Sequence, residues 1–194
     1  LFMDDAGVGR RLQKRLVARG DTVVCVERAD AYLKRDEHTY TIAPERGRAG
    51  YDLLVQDLVA SGKVPTHIAH LWLVTAEERF RPGSSFFHQN LQDGFYSLFF
   101  IAQALGDENV ATPLQIDVVS NGMHGVDADD AVLYPEKATA LGPVKVIPRE
   151  LPGVTCRSID VRLPVRPENT LAGLRSSFKN RGDSNAETLD SVAD

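Results

Sequence analysis

The chain has 194 residues, 43% of them hydrophobic and 25% charged, and a formal net charge of −5. These proportions are ordinary for a soluble globular protein with one core, so the length fits one domain and at most a small appendage. No lysine/arginine block stands out, which argues against a nucleic-acid partner; no apolar run is long enough to span a bilayer, no signal-peptide pattern is present, and a cytoplasmic location is expected.

Leu1–Met3 reads as the end of a first strand. Because the chain opens inside it without an initiator methionine, a piece of a longer polypeptide is expected. Asp4–Gly9 is a turn and Gly7–Arg19 a helix, with Val8, Leu12 and Leu16 as its apolar stripe and Gly20 as its stop. Asp21–Glu27, with TVVCV, is a second strand rich in β-branched residues. Strand, glycine turn, helix, strand is a βαβ unit, from which parallel sheets are built. Ala29–Ala49 reads as polar and irregular, with Tyr40–Ala43 a short third strand at the sheet edge.

Tyr51–Ser61 is a helix, since Tyr51, Leu54, Val55, Leu58 and Val59 recur at the helical period, and Gly62 ends it. His67–Thr75 is a fourth strand, apolar enough to be covered on both faces. Glu77–Ser85 is a charged loop. Phe87–Leu105 is the longest helix, with Leu91, Phe95, Leu98, Ala102 and Leu105 on one face. The surplus aromatics Phe95, Tyr96, Phe99 and Phe100 suit either a core helix or a surface that packs on another domain.

Leu114–Ser120 is a fifth strand and Asn121–Asp130 a loop. Pro135–Asp160 then reads as a helix built on Glu136, Lys137, Ala138, Ala140 and Leu141, joined through Pro148, Pro152 and Gly153 to a buried sixth strand in which VTCRSIDV alternates apolar and polar. Pro167–Ser177 is a final helix. From Phe178 the chain turns polar, as a linker or the start of a helix opened by a Ser184/Glu187 capping box, and Arg181-Gly182-Asp183 is read as a chance triplet. The expected fold is α/β, a doubly wound, mostly parallel sheet of order 3-2-1-4-5-6 in a domain spanning 1–177, with 178–194 appended.

Cys25 and Cys156 each lie in a strand pattern and read as buried reduced thiols. His38, His67, His70, His88 and His124 show no metal-ligand spacing, so no metal is expected. His67 and His70 face opposite sides of one strand, and His70 reads as a core or edge histidine. Asp127, Asp129 and Asp130 read as a solvated turn.

The wording PEKA…LGP…VIP…CRSIDV across Pro135–Val161 resembles the non-catalytic, structural half of the ketoreductase in modular type I polyketide synthases. The resemblance runs from Leu1 to Val161, is most specific in Pro135–Asp160, and carries little beyond Val161. It implies a degenerate Rossmann-like sheet of the short-chain dehydrogenase type. In that type the first strand turns into the first helix as Thr-Gly-x-x-x-Gly-x-Gly. Here the segment is Phe2-Met3-Asp4-Asp5-Ala6-Gly7-Val8-Gly9: the last two glycines match, Met3 replaces the first with a side chain expected to fill the cofactor's space, and Asp4 and Asp5 sit in the turn. A carboxylate about 4 Å from a phosphate costs roughly 4 kcal/mol at an effective dielectric near 20. The loop of Met3, Asp4, Asp5, Gly7 and Gly9 is therefore expected to bind no cofactor. Gly7 is left to make the turn and Gly9 to let helix and strand approach, while Glu27, placed where an acid would hold a ribose hydroxyl, reads as a solvated strand end.

The resemblance implies a catalytic Ser after the fifth strand and Tyr-x-x-x-Lys on the next helix, with the Tyr hydroxyl as proton donor. Ser120 and Lys137 stand in those places, but Tyr134 is three residues before Lys137 with Pro135 between, and the Asn-Ala-Gly after the fourth strand is Thr75-Ala76-Glu77. No catalytic residue is expected in this chain; Ser120, Tyr134 and Lys137 are the set to consider if it were an autonomous NADPH reductase. The resemblance implies a silent subdomain of a synthase that builds secondary metabolites. It would stabilise a catalytic half that carries NADPH and reduces the β-keto group of intermediates held on the phosphopantetheine of an acyl carrier protein. Where no active half is present, it implies a scaffold beside a C-methyltransferase or dehydratase.

Overall fold

The computed structural model describes residues 1–76, 84–110, 113–125 and 134–163, and all but Leu163 belong to the unit Leu1–Arg162. The expected helix at Pro167–Ser177, the Ser184/Glu187 cap, the Arg181-Gly182-Asp183 triplet, the polar segment 178–194 and the Asp127/Asp129/Asp130 cluster lie outside the described residues, as does most of the Glu77–Ser85 loop.

The expected first strand is reduced to one residue, yet that residue holds the centre of the sheet. Phe2 forms parallel bridges to Val26 on one side and His70 on the other. Helix α1 (Val8–Ala18) follows and ends at Gly20, whose φ of 88° closes the last turn. Its stripe is only half-buried; Gly9 is its one buried residue. Strand β1 (Cys25–Arg28) begins four residues later than expected and runs one residue past Glu27. The segment that read as irregular holds a hairpin, with β2 (Leu33–Lys34) antiparallel to β3 (Thr39–Ile42). Thr39–Ile42 is therefore not the sheet edge; β2 is. Lys34 fixes the hairpin to α2 (Ala49–Ala60) through an ion pair to Asp57 at 2.7 Å, and the Tyr40 hydroxyl also donates to Asp57.

Strand β4 is His67–Leu73. The longest helical run comprises α3 (Ser84–Asn90), a π turn (Leu91–Tyr96) and α4 (Ser97–Asp107). Its buried face is Asp93, Gly94, Ser97, Leu98, Ile101, Ala104 and Leu105; Leu91, Phe95 and Ala102 are only half-buried. The wide π turn shifts the helical phase, and the polar Asp93 and Ser97 point inward because buried partners receive them. Strand β5 (Leu114–Ser120) matches its expected span. The helix after it starts as a 3-10 turn, Pro135–Ala140, and continues as α5 (Leu141–Glu150) with Pro148 inside it, not in the connector. Pro148 lies in the last turn, where its missing N–H forfeits a single intrahelical bond. Strand β6 (Val154–Asp160) is an edge strand among the described residues, with only Val154 buried and exposed residues alternating with half-buried ones. Cys25 is buried and Cys156 only half-buried; both are free thiols, and burial pushes their pKa up, to about 11 for Cys156.

The spatial order is β2-β3-β1, then Phe2, then β4-β5-β6, with every pairing parallel except β2/β3. Counted with Phe2 as the first strand, this is the expected 3-2-1-4-5-6 order with one antiparallel strand added. The main core lies between the sheet and helices α2, α4 and α5, where Tyr51, Leu54, Leu98, Ile101 and Ile147 meet Ile42, Trp72, Ile116 and Val118. Each fully buried side chain of that size contributes about 1.5–3 kcal/mol. A small separate cluster, Met3, Val23 and Cys25 with Leu1 and Leu16, seats α1 on the other face. No described helix is long and apolar enough to cross a membrane.

Candidate functional site

At the C-terminal edge of the central strands, Gly7 adopts φ 84° and turns the chain into α1. The amides of α1's first turn point back at the loop, as in any helix whose N-terminus receives an anion. Here the anion is part of the chain. The Asp4 carboxylate is buried; Oδ2 accepts the Val8 N–H at 3.0 Å and Oδ1 accepts the Gly9 N–H. Bonds from amides to an ionised carboxylate are about twice as strong as neutral ones, and the helix dipole adds to them.

Gly9 is explained by packing. A Cβ there would stand 3.0 Å from Asp4 Oδ1 and 3.2 Å from both the Leu71 side chain and the Met3 sulfur. The Met3 side chain lies in the small core under α1, so Asp4, not Met3, fills the amide cradle, contrary to the expectation for Met3.

Asp5 is exposed and ion-paired with Arg28 at the end of β1. Arg28 also pairs with Asp93 Oδ2 at 2.7 Å and donates to the Trp72 carbonyl at 3.3 Å. It thereby ties the glycine loop, β4 and the π turn together across the strand ends. Glu27 faces away and pairs with Arg35 at 3.0 Å. Beside Arg28 is an open cleft of about 610 Å³ lined by Asp5, Asp30, Glu45, His88, Gln92 and Asp93 among others. Its four carboxylates outnumber its one arginine. Burial pushes the Asp93 carboxyl up to about 6 against the opposing pull of Arg28.

Ser120, Tyr134 and Lys137 come from the end of β5, the loop and the 3-10 turn. Ser120 is buried and donates to Asp160 Oδ1 at 2.9 Å. Asp160 Oδ2 accepts the N–H groups of Met123 at 3.1 Å and His124 at 2.8 Å. Lys137 is fully buried; its Nζ donates to Thr75 Oγ1 at 3.0 Å and to the backbone and side-chain oxygens of Asn121 at 3.1 Å each. Tyr134 precedes the helix, as the proline predicts, and its ring lies under Lys137 Nζ at 4.4 Å from the ring centre. Tyr134 and Lys137 are thus brought together through the ring face, while the Ser120 hydroxyl is directed at Asp160.

Asn121 returns the contact: Oδ1 accepts the Thr75 N–H at 2.9 Å and Nδ2 donates to the Thr75 carbonyl at 3.2 Å. Sequence reasoning misses Arg28, Asp93, Asn121 and Asp160. The one available signal is a cation directly after Glu27; nothing local marks the other three.

His70 is a core residue. It stacks on Phe2 at 4.9 Å, and its Nε2 lies 2.7 Å from Ser97 Oγ, which is itself 2.7 Å from the Asp93 carbonyl. The network assigns the proton to Nε2, donating to Ser97, whose hydroxyl donates onward. Burial, with the Arg28 charge, lowers the His70 pKa to about 3. Among the described residues, no three His, Cys, Asp or Glu side chains converge as metal ligands would.

Residues 1–176 match the family described as beta-ketoacyl synthase-like, N-terminal, and the chain belongs to that family. No curated protein matches it. The fold is shared with a multidomain structure described as adenylation, ketoreductase and pseudo Asub of a keto acid-selecting NRPS module, at TM-score 0.75 and 24% identity, covering 88% of this chain and 14% of that one. An N-terminal ketoreductase from the macrolactin assembly line matches at TM-score 0.65 and 20% identity, covering 82% of this chain and 31% of that one. A Serratia marcescens short-chain dehydrogenase/reductase matches at TM-score 0.57 and 15% identity, covering 82% of this chain and 76% of that one. The chain therefore spans less than a third of the first two structures it resembles, both of which contain a ketoreductase, and it shares its α/β fold with these and with the short-chain dehydrogenase/reductase.

Proposed function

We propose that this chain is the non-catalytic structural subdomain of a polyketide synthase ketoreductase, binding no cofactor itself. It stabilises a catalytic half that uses NADPH to reduce the β-keto group of intermediates on an acyl carrier protein. The observation that carries this reading is the Asp4 carboxylate bonded to the Val8 and Gly9 amides. A pyrophosphate seated there would have to expel a buried carboxylate from two bonds, then sit beside it and the acidic cleft. The engagement of Ser120 by Asp160, and of Tyr134 by Lys137 through its ring, weighs against an autonomous reductase. The test is fluorescence titration of NADPH into the full chain. No saturable binding is expected up to about 100 μM; saturable binding in that range makes the chain a cofactor-binding reductase instead.

The docking side of the reading rests on α4. Phe99 is 44% exposed, and it stacks on Phe95, which is only half-buried. That aromatic face suits the catalytic half as its occupant or, in a module without one, an adjacent C-methyltransferase or dehydratase.

A further inference from the structure

Helix α1 concentrates charge that the overall composition conceals. Arg10, Arg11, Lys14, Arg15 and Arg19 are all exposed, and the segment Val8–Arg19 contains no acid. The chain's net charge of −5 therefore leaves −10 on all other residues. Of these five cations, only Arg19 has an ion-pair partner among the described residues, Asp21 at 3.4 Å. Nearby acids are committed elsewhere: Asp4 to the helix amides, Asp5 to Arg28 and Glu27 to Arg35.

This arrangement works against the helix. Arg10 and Arg11 lie in the first turn, at the positive end of the dipole. Arg10/Lys14, Arg11/Arg15 and Arg15/Arg19 are like-charge pairs four residues apart, each destabilising an isolated helix by a few tenths of a kcal/mol. The inward side, by contrast, is accounted for by packing, since Gly9 and Leu16 seat α1 on the sheet. The cations contribute nothing to that seat. Val17, 56% exposed and seven residues from Arg10, adds an apolar point to the same outer side.

We propose that the outer face of α1 is a docking surface for a short acidic segment of a partner protein, in helical or extended form. Four of the five cations are arginine, whose planar fork matches carboxylates two oxygens at a time. The rest of the surface sets the occupant's size. The face is about 16 Å long at 1.5 Å per residue. A polyanion that extends well beyond it, such as a nucleic acid or an anionic membrane, meets the negative remainder of the molecule, whereas a segment no longer than the helix does not.

The test uses fluorescence anisotropy with the full chain and three probes: a labelled glutamate peptide of about five residues, whose extended length matches the roughly 16 Å face, an oligo-dT strand, and vesicles containing phosphatidylserine. The glutamate peptide is expected to bind saturably and to weaken at least tenfold between about 50 and 200 mM salt. The triple variant Arg11→Gln, Lys14→Gln, Arg15→Gln is expected to lose at least tenfold in affinity while unfolding at the same or a higher temperature, because the repulsion within the helix is relieved. That pairing separates a binding face from a structural one. Absence of saturable peptide binding, equal binding by the variant, or tighter binding of oligo-dT or vesicles than of the peptide overturns the proposal.

Discussion

Asp4 caps helix α1 by accepting the Val8 and Gly9 amides. Asp4→Ala leaves the Val8 and Gly9 amides without their acceptor and is expected to lower stability by about 1–3 kcal/mol, with Asp4→Asn in between. An unchanged unfolding temperature for Asp4→Ala would mean that the carboxylate does not hold the turn. His70 gives a second expectation. Its folded pKa is about 3, well below the unfolded value near 6.5, so between these values the unfolded chain binds a proton that the folded chain refuses. Its contribution to stability is complete above about 6.5 and is lost as pH falls. Asp93 works the other way: with its folded carboxyl near 6, its contribution is present below about 4 and is lost as pH rises. Relative to the wild type, His70→Phe is therefore expected to gain stability as pH is lowered from about 6.5 to 4 in thermal unfolding; parallel pH profiles would contradict this. At this scale the glycines were legible, because a turn and a close approach each leave one residue type. The inward aim of Asp4 was not, since the sequence shows a carboxylate in the loop but not which amides it finds.

The elements are locked by polar contacts as well as by the apolar core. Lys137 joins the end of β4, the turn after β5 and the 3-10 helix through Thr75 and Asn121. Lys137→Met leaves three oxygen acceptors without their common donor and is expected to cost on the order of 3 kcal/mol in denaturant unfolding; a neutral result would remove the lysine from the structural account. Phe99→Glu should change the stability of the chain by no more than about 0.5 kcal/mol, yet weaken its association with a catalytic ketoreductase domain added in trans. Equal association of variant and wild type would rule α4 out as the docking face. Strands β4 and β5, with their apolar runs, and helices with a clean period were readable, whereas β1 starts only at Cys25, past most of its β-branched run. Of the β2/β3 hairpin only β3 was readable, because β2 is two residues long and its Lys34 is held by Asp57, on a different element. The phase of the long helix was missed because the π turn and two buried polar residues break the apolar stripe. Pro148 misled because a proline in a last turn costs little.

For the whole molecule, the central βαβ unit and the strand order were both visible in the sequence, since each rests on local spacing. The weak points were long-range. Arg28, which spans Asp5 and Asp93, belongs to no local motif, and the five cations of α1 disappear into a net negative charge. At the strand ends beside the glycine loop the Asp4 carboxylate holds the helix amides, and the proposed reading is that this leaves no seat there for a diphosphate. The most direct measurement of that claim follows the backbone amide resonances of Val8 and Gly9 by nitrogen–proton NMR while NADPH is added to about 1 mM. Both are expected to stay fixed, because Asp4 already holds them. Saturable movement of both would show the diphosphate displacing the carboxylate, and the cradle would be a working one.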